Sequence, residues 1–86
     1  MLKGKTIRVE AVWDGEAQVW VATSDDVPGL ITEADTSEQL IKKLQVLIPE
    51  LLQANGLINE NDPSEIPLHL LSKRTEIIKS RVNING

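Results

Sequence analysis

The strongest constraint on the fold is one amphipathic helical stripe in a chain whose other apolar segments are short. Between Leu40 and Leu52, apolar residues recur at intervals of three and four, which is the spacing of one helix face. Thr36 is a candidate N-cap with Gln39 three residues later, and Asn55-Gly56 is a candidate stop. Pro49 lies inside this pattern and predicts a kink or a tightened turn just before it. A single helix can cover only one face of a sheet.

Four short segments have the alternation or the β-branched and aromatic composition of strands. They are Thr6–Trp13, Gln18–Ser24, Leu30–Ala34 and Ile66–Leu71, and strand character resumes through Thr75–Ile78. The order β-β-β-α-β predicts a small α+β sandwich with one main helix on one face of the sheet. The other face is then uncovered, which predicts a homodimer or a higher oligomer.

Turn signals separate the first three strands. Pro28-Gly29 predicts a reversal between the second and third strands, because Pro fixes φ and Gly permits a positive φ. Asp14–Ala17 predicts a hairpin loop, but its length leaves the pairing open. A four-residue loop sets Trp20 beside Ala11 on the face of Trp13, whereas a five-residue loop places it on the other face. The register therefore decides whether Trp20 is a core residue or an interface anchor.

Size and composition restrict the class of protein. A chain of 86 residues makes one domain, which we assign to residues 1–86 with an ordered core at about 6–78 and a polar tail at 79–86. No apolar run approaches the roughly 18 residues of a membrane span, and no signal-peptide stretch begins the chain. The absence of cysteine fits a reducing cytoplasm.

The charges are unevenly distributed along the chain. The net charge is −4, which disfavours a primary nucleic-acid binder. No Lys or Arg occurs between Arg8 and Lys42, whereas the basic residues Lys73, Arg74, Lys79 and Arg81 lie near the end. The intervening acidic residues are Glu10, Asp14, Glu16, Asp25, Asp26, Glu33, Asp35 and Glu38. This interval is either an ordinary solvated surface or a surface that steers toward a basic partner.

The sequence offers little to a catalytic interpretation. His69 is the one histidine, and no nucleophile is tied to it by spacing. Asp25-Asp26 could hold Mg²⁺, but such pairs are also common in turns, and no third acidic ligand is fixed by spacing. The glycines form no phosphate-binding loop. We therefore predict neither an enzyme nor a metal or cofactor site.

One stretch carries a family resemblance. Val19–Leu30 followed by Thr32–Thr36 resembles the signature of HicB-like antitoxins, which is a strand, an Asp-apolar-Pro-Gly turn, and a short strand ending in a small residue, Asp and a capping Thr. Glu38, Leu40 and the segment Leu47–Gly56 resemble the short, single-domain branch of that family. The similarity extends over Thr6–Ile78.

The resemblance implies a partly degenerate RNase H-like fold and a specific partner. That partner is a HicA-type toxin, a small basic mRNA endonuclease that uses a histidine and resembles a double-stranded-RNA-binding domain. The antitoxin would bind the toxin and cover its active site or RNA surface. Pro28 and Gly29 would form the turn, and Thr36 would cap the helix. The candidate toxin contacts are Glu10, Asp14, Trp20, Asp25 and Asp26.

Two features depart from the wider family. Many HicB proteins carry a C-terminal DNA-binding segment, but no helix-turn-helix pattern follows the last predicted strand, so direct DNA binding is not expected. The spaced acidic ligands of a working RNase H are also not recognisable. Two alternatives stay open at this point: a degenerate metal-dependent nuclease that uses Asp25 and Asp26, and an orphan structural or regulatory dimer without a toxin.

Overall fold

The fold is a four-stranded mixed sheet with one helix on one face. The computed structural model describes residues 6–59, 61 and 65–81. The element bounds are β1 Ile7–Asp14, β2 Val19–Thr23, β3 Ile31–Ala34, α1 Ser37–Ala54 and β4 Leu68–Lys73. This order confirms the predicted α+β class and the β-β-β-α-β arrangement.

The sheet has the strand order β3-β2-β1-β4. The first three strands form an antiparallel meander, and β4 lies parallel to β1 on its other side. A parallel neighbour requires a crossover, which α1 supplies. The described sheet therefore has two edge strands, β3 and β4, with β1 and β2 between them.

The first hairpin differs in one detail from the predicted pairing. Its loop has four residues, but it begins at Gly15, one residue later than predicted, so Trp13 pairs with Trp20. The carboxylate of Asp14 accepts hydrogen bonds from the backbone N–H groups of Glu16 and Ala17 at 3.0 and 3.2 Å, which holds Asp14 at the end of β1. Both tryptophans consequently lie on one face, as the four-residue alternative required, but the partner of Trp20 is Trp13 rather than Ala11.

The helix begins and ends where its sequence signals predict. The Thr36 hydroxyl accepts a hydrogen bond from the backbone N–H of Gln39 at 3.1 Å, and Asn55 is the C-cap. The helix continues as α-helix through Pro49, so the predicted tightened turn does not form. Within the described chain, no helix is long and apolar enough to cross a membrane.

The core lies between the helix and one face of the sheet. Alternate residues of β1 are buried, and the buried helix positions follow the predicted stripe. The buried hydrophobic residues are Ile7, Val9, Ala11, Ala22, Val27, Leu30, Ala34, Leu40, Leu44, Ile48 and Leu52. The opposite side of the sheet, here called the open face, carries Arg8, Glu10, Val12 and Asp14 of β1 together with their cross-strand neighbours. Its Val12 and Leu71 side chains are each 47% exposed.

A tight turn connects β2 and β3. The backbone N–H of Leu30 donates to the carbonyl of Val27 at 3.1 Å, across the predicted pair Pro28-Gly29. Gly29 has φ +85°, which only glycine adopts without strain at the second central position of such a turn. The Asn55 side-chain amide donates to the Pro28 carbonyl at 3.3 Å and so ties the end of the helix to this turn.

The last strand begins and ends later than predicted. Pro67 precedes β4, and its carbonyl accepts from the backbone N–H of Ile7 at 2.9 Å. Pairing with β1 runs from Leu68 to Lys73, beyond the predicted end at Leu71, and stops where β1 turns into the hairpin. The prediction of a strand over Thr75–Ile78 is wrong. These residues form no strand, and no strand of the described chain pairs with them. Residues 82–86 of the predicted polar tail lie outside the described residues.

The turn conformation predicts a specific sensitivity at Gly29. Gly29→Ala should lower the free energy of unfolding by about 1–2 kcal/mol, because a Cβ strains the left-handed conformation. The added methyl would meet only the Leu51 side chain, at 3.7 Å, so the cost is conformational. Gly15→Ala is the control, because Gly15 has no positive φ and its Cβ would lie 3.9 Å from the Trp13 ring nitrogen. Urea unfolding of both variants measures the difference, and equal midpoints would contradict this account.

Candidate protein-binding surface

The acidic residues of the interval from Glu10 to Glu38 surround the β1–β2–β3 meander. They lie on β1, in the two turns, on β3 and at the start of the helix. All eight are exposed except Asp26, which is half-buried. The basic residues Lys73, Arg74, Lys79 and Arg81 are exposed on β4 and the segment after it. The described surface is therefore polarised between an acidic meander and a basic final segment.

Glu10 and Lys73 join these two regions on the open face. The Lys73 ammonium lies 3.2 Å from the Glu10 carboxylate, and each side chain is 54% exposed. An ion pair this exposed contributes little to stability, since solvent screens it. The pair does change the surface charge, because the Lys73 ammonium offsets part of the negative charge of β1.

A shallow cleft of about 670 Å³ lies at one end of the open face. Glu10, Asp25 and Asp26 line it together with Arg8 and His69, which are neighbours across β1 and β4. Three of the five predicted contact residues thus come together here. The cleft carries charges of both signs, so it is not a purely acidic pocket.

The adjacent residues Asp25 and Asp26 differ in their contacts. The Asp26 carboxylate accepts a hydrogen bond from the backbone N–H of Arg8 at 2.8 Å. The backbone N–H of Asp26 donates to the Ser24 hydroxyl at 3.0 Å, and that hydroxyl donates to the Arg8 carbonyl. Asp26 therefore fastens the turn before β3 to the start of β1. Asp25, by contrast, is exposed at the wall of the cleft.

The other two predicted contact residues lie elsewhere. Asp14 is four residues from Glu10 along β1, a separation of about 13 Å at the usual rise of a strand. Trp20 lies on the helix-covered face, where it is half-buried and packs against the core. The five predicted residues therefore do not form one continuous site.

An aromatic cluster that sequence reasoning did not identify lies near the hairpin. The Trp13 and Trp20 rings meet edge to face with centroids 5.4 Å apart. The Arg74 guanidinium lies 4.4 Å from the centroid of a Trp13 ring, at the distance of a cation–π contact. Arg74 and Trp13 lie near opposite ends of the described chain, so no local pattern could have paired them.

The described carboxylates offer no assembled metal centre. No group of three or more His, Asp or Glu side chains comes close enough to hold a metal ion within residues 6–59, 61 and 65–81. The alternative of a metal-dependent nuclease requires such a group around Asp25 and Asp26. The half-buried carboxylate of Asp26 is instead engaged with the β1 backbone.

Comparisons with known proteins extend over nearly the whole chain. The model of a family described as a domain of unknown function (DUF1902) matches residues 6–80. The crystal structure of the hypothetical protein TTHA1013 from the extremely thermophilic bacterium Thermus thermophilus is similar, with 50% sequence identity and a TM-score of 0.64. The similarity covers 88% of this chain and 100% of that one. No curated protein matches the sequence.

The hydrogen bonds at Ser24 and Arg8 predict unequal effects of replacing the two aspartates. Asp26→Ala should destabilise the fold by about 1–2 kcal/mol, because it removes a charged acceptor of the Arg8 N–H. Asp25→Ala is the matched control and should stay within about 0.5 kcal/mol of the parent. Thermal and urea unfolding test both, and a loss of equal size at Asp25 would contradict the structural role of Asp26.

Proposed function

This chain belongs to the DUF1902 family, and from its residues we propose that it is a HicB-like antitoxin. It binds and neutralises a small, basic mRNA endonuclease of the HicA type. It acts by binding, without a catalytic step of its own, in the cytoplasm and as a homodimer. The observation that carries this proposal is the exposed acidic meander, whose turn and helix cap coincide with the antitoxin-like signature.

The signature supports the proposal through residues with identifiable physical roles. Pro28 and Gly29 form the reversal before β3, and Thr36 caps the helix that covers the sheet. The resemblance therefore rests on positions that determine the backbone path. A sequence with this turn, cap and preceding hairpin would present the same meander in the same order.

The charge distribution supports a basic protein as the partner. An RNase must hold a polyanionic substrate, so its RNA surface is positively charged. Seven exposed carboxylates with no intervening Lys or Arg present the complementary charge. Such complementarity accelerates association and favours a basic partner over an acidic one. An antitoxin that covers the RNA surface would compete with the substrate directly.

The contact surface that we propose is centred on the exposed carboxylates of the meander. Asp25 and Glu10 lie at the cleft, and Asp14 and Glu33 extend the negative charge along the open face. Trp20 packs against the core and would support this surface from behind. Asp26 would act indirectly, because its carboxylate already holds the turn.

Charge reversal at the exposed carboxylates tests the proposal. The proposal requires a small basic protein encoded beside this chain, and that protein would be co-expressed with the chain and purified as a complex. Asp25→Lys should weaken the complex roughly tenfold or more and reduce its salt dependence, because one close charge pair is lost and replaced by repulsion. Isothermal titration at low and high salt measures both effects.

The matched control is Glu50→Lys, which makes the same change of charge at an exposed helix position outside the acidic interval. It should leave the affinity nearly unchanged. Equal weakening by both variants would indicate a net-charge effect and would count against the assigned surface. A neighbour that neither arrests growth nor binds this chain would contradict the antitoxin function itself.

A further inference from the structure

The segment that follows β4 exposes two large apolar side chains. Residues 74–81, here called the tail, include the first three residues of the predicted polar tail and are exposed at every position. Ile77 is 86% exposed and Ile78 is 91% exposed, the highest values among the large hydrophobic residues of the described chain. Lys79 and Arg81 follow them. Adjacent isoleucines with this exposure indicate a segment that gains stability when a partner covers it.

Within the described chain, no strand pairs with Ile77 and Ile78. Pairing of β4 with β1 ends at Lys73 and Val12, and β1 then enters the hairpin. The first residue of the tail nevertheless contacts the domain, because the Arg74 guanidinium lies against the Trp13 ring. Arg74 also donates from Nε to the Glu76 carboxylate within the tail. The β-branched isoleucine pair therefore begins just beyond a position that contacts the domain.

The edge strand β3 has the features that such a tail requires. It pairs with β2 on one side, and its Ile31 is 72% exposed. The carbonyl of its Glu33 accepts a hydrogen bond from the Lys43 ammonium at 2.6 Å. A lysine at an edge of this kind hinders unwanted pairing. Because Lys43 is exposed, its side chain can move aside without disturbing the core.

The sequences of the edge and the tail match in parallel register. Ile31-Thr32-Glu33-Ala34-Asp35 and Ile77-Ile78-Lys79-Ser80-Arg81 align position by position. Directly opposed residues share a face of a sheet, so this register sets Ile77 beside Ile31, Lys79 beside Glu33 and Arg81 beside Asp35. Both charge pairs are of opposite sign. An antiparallel register that sets Ile31 opposite Ile77 forms neither the Lys79–Glu33 pair nor the Arg81–Asp35 pair.

We propose that the tail of one copy adds to β3 of a second copy as a parallel fifth strand. The tail is basic, so a basic toxin is a poor occupant for it, whereas the acidic meander of a second copy is complementary in charge. Backbone hydrogen bonds supply affinity in such strand addition, and alternate side chains supply specificity. This inference rests on the homodimer of the proposed function and names its contact, and because its test uses no toxin, its failure would leave the toxin-binding part of the proposal standing.

A charge swap tests the proposed register. Glu33→Lys and Lys79→Glu should each weaken self-association, by roughly threefold to tenfold, because each sets like charges opposite one another. The double variant Glu33→Lys with Lys79→Glu should recover most of the loss. Sedimentation velocity over a range of concentrations measures the association of the full chain without any toxin. Glu50→Lys is the control for net charge and should change little.

A second set of variants tests the apolar contact. Ile77→Asp leaves the monomer fold intact, because the side chain is exposed there, and should abolish association. Lys43→Met frees the Glu33 carbonyl and should tighten association. Three results would overturn the proposal: a parent chain that stays monomeric throughout, association unaffected by Ile77→Asp, or loss with Ile77→Asp but indifference to Glu33→Lys. The last result would place the interface at the β4 edge instead.

Discussion

The packing of one amphipathic helix against one face of a small sheet is the contact on which the rest of the structure depends. Leu40, Leu44, Ile48 and Leu52 cover the alternate buried residues of β1 and the small residues of β2 and β3. A chain of this length has no second helix within its described residues to cover the other face. The open face and both sheet edges are therefore left to solvent or to partners, and both proposals concern surfaces that this single helix leaves uncovered.

An acidic composition does not by itself mean that every carboxylate is available for binding. Asp14 and Asp26 both accept backbone hydrogen bonds and so contribute to the meander's geometry. Glu10 is paired with Lys73 across two parallel strands. Asp25 and Glu33 lie at exposed positions. The acidic interval therefore contains carboxylates that shape the backbone as well as adding charge, and exposed carboxylates that contribute mainly their charge.

The elements were predictable from sequence because their causes are local. Periodicity locates the helix, the Thr36 hydroxyl marks its start, and Pro28-Gly29 marks the turn. The hairpin partner of Trp20 was not predictable, since it depends on the positive φ of Gln18 and on the Asp14 carboxylate. The role of Asp26 depends on a contact 18 residues away, and the stacking of Arg74 on Trp13 spans most of the chain.

The wrong prediction of a strand over Thr75–Ile78 has a physical explanation, and that explanation links the two proposals. A strand sequence needs a neighbour, and the described chain offers none there, so the β-branched residues stay exposed in the free molecule. The occupant that we propose for β3 carries the same sign of charge as the proposed toxin. Both would then bind the acidic meander of the homodimer, the tail at the β3 edge and the toxin at the exposed carboxylates around the cleft.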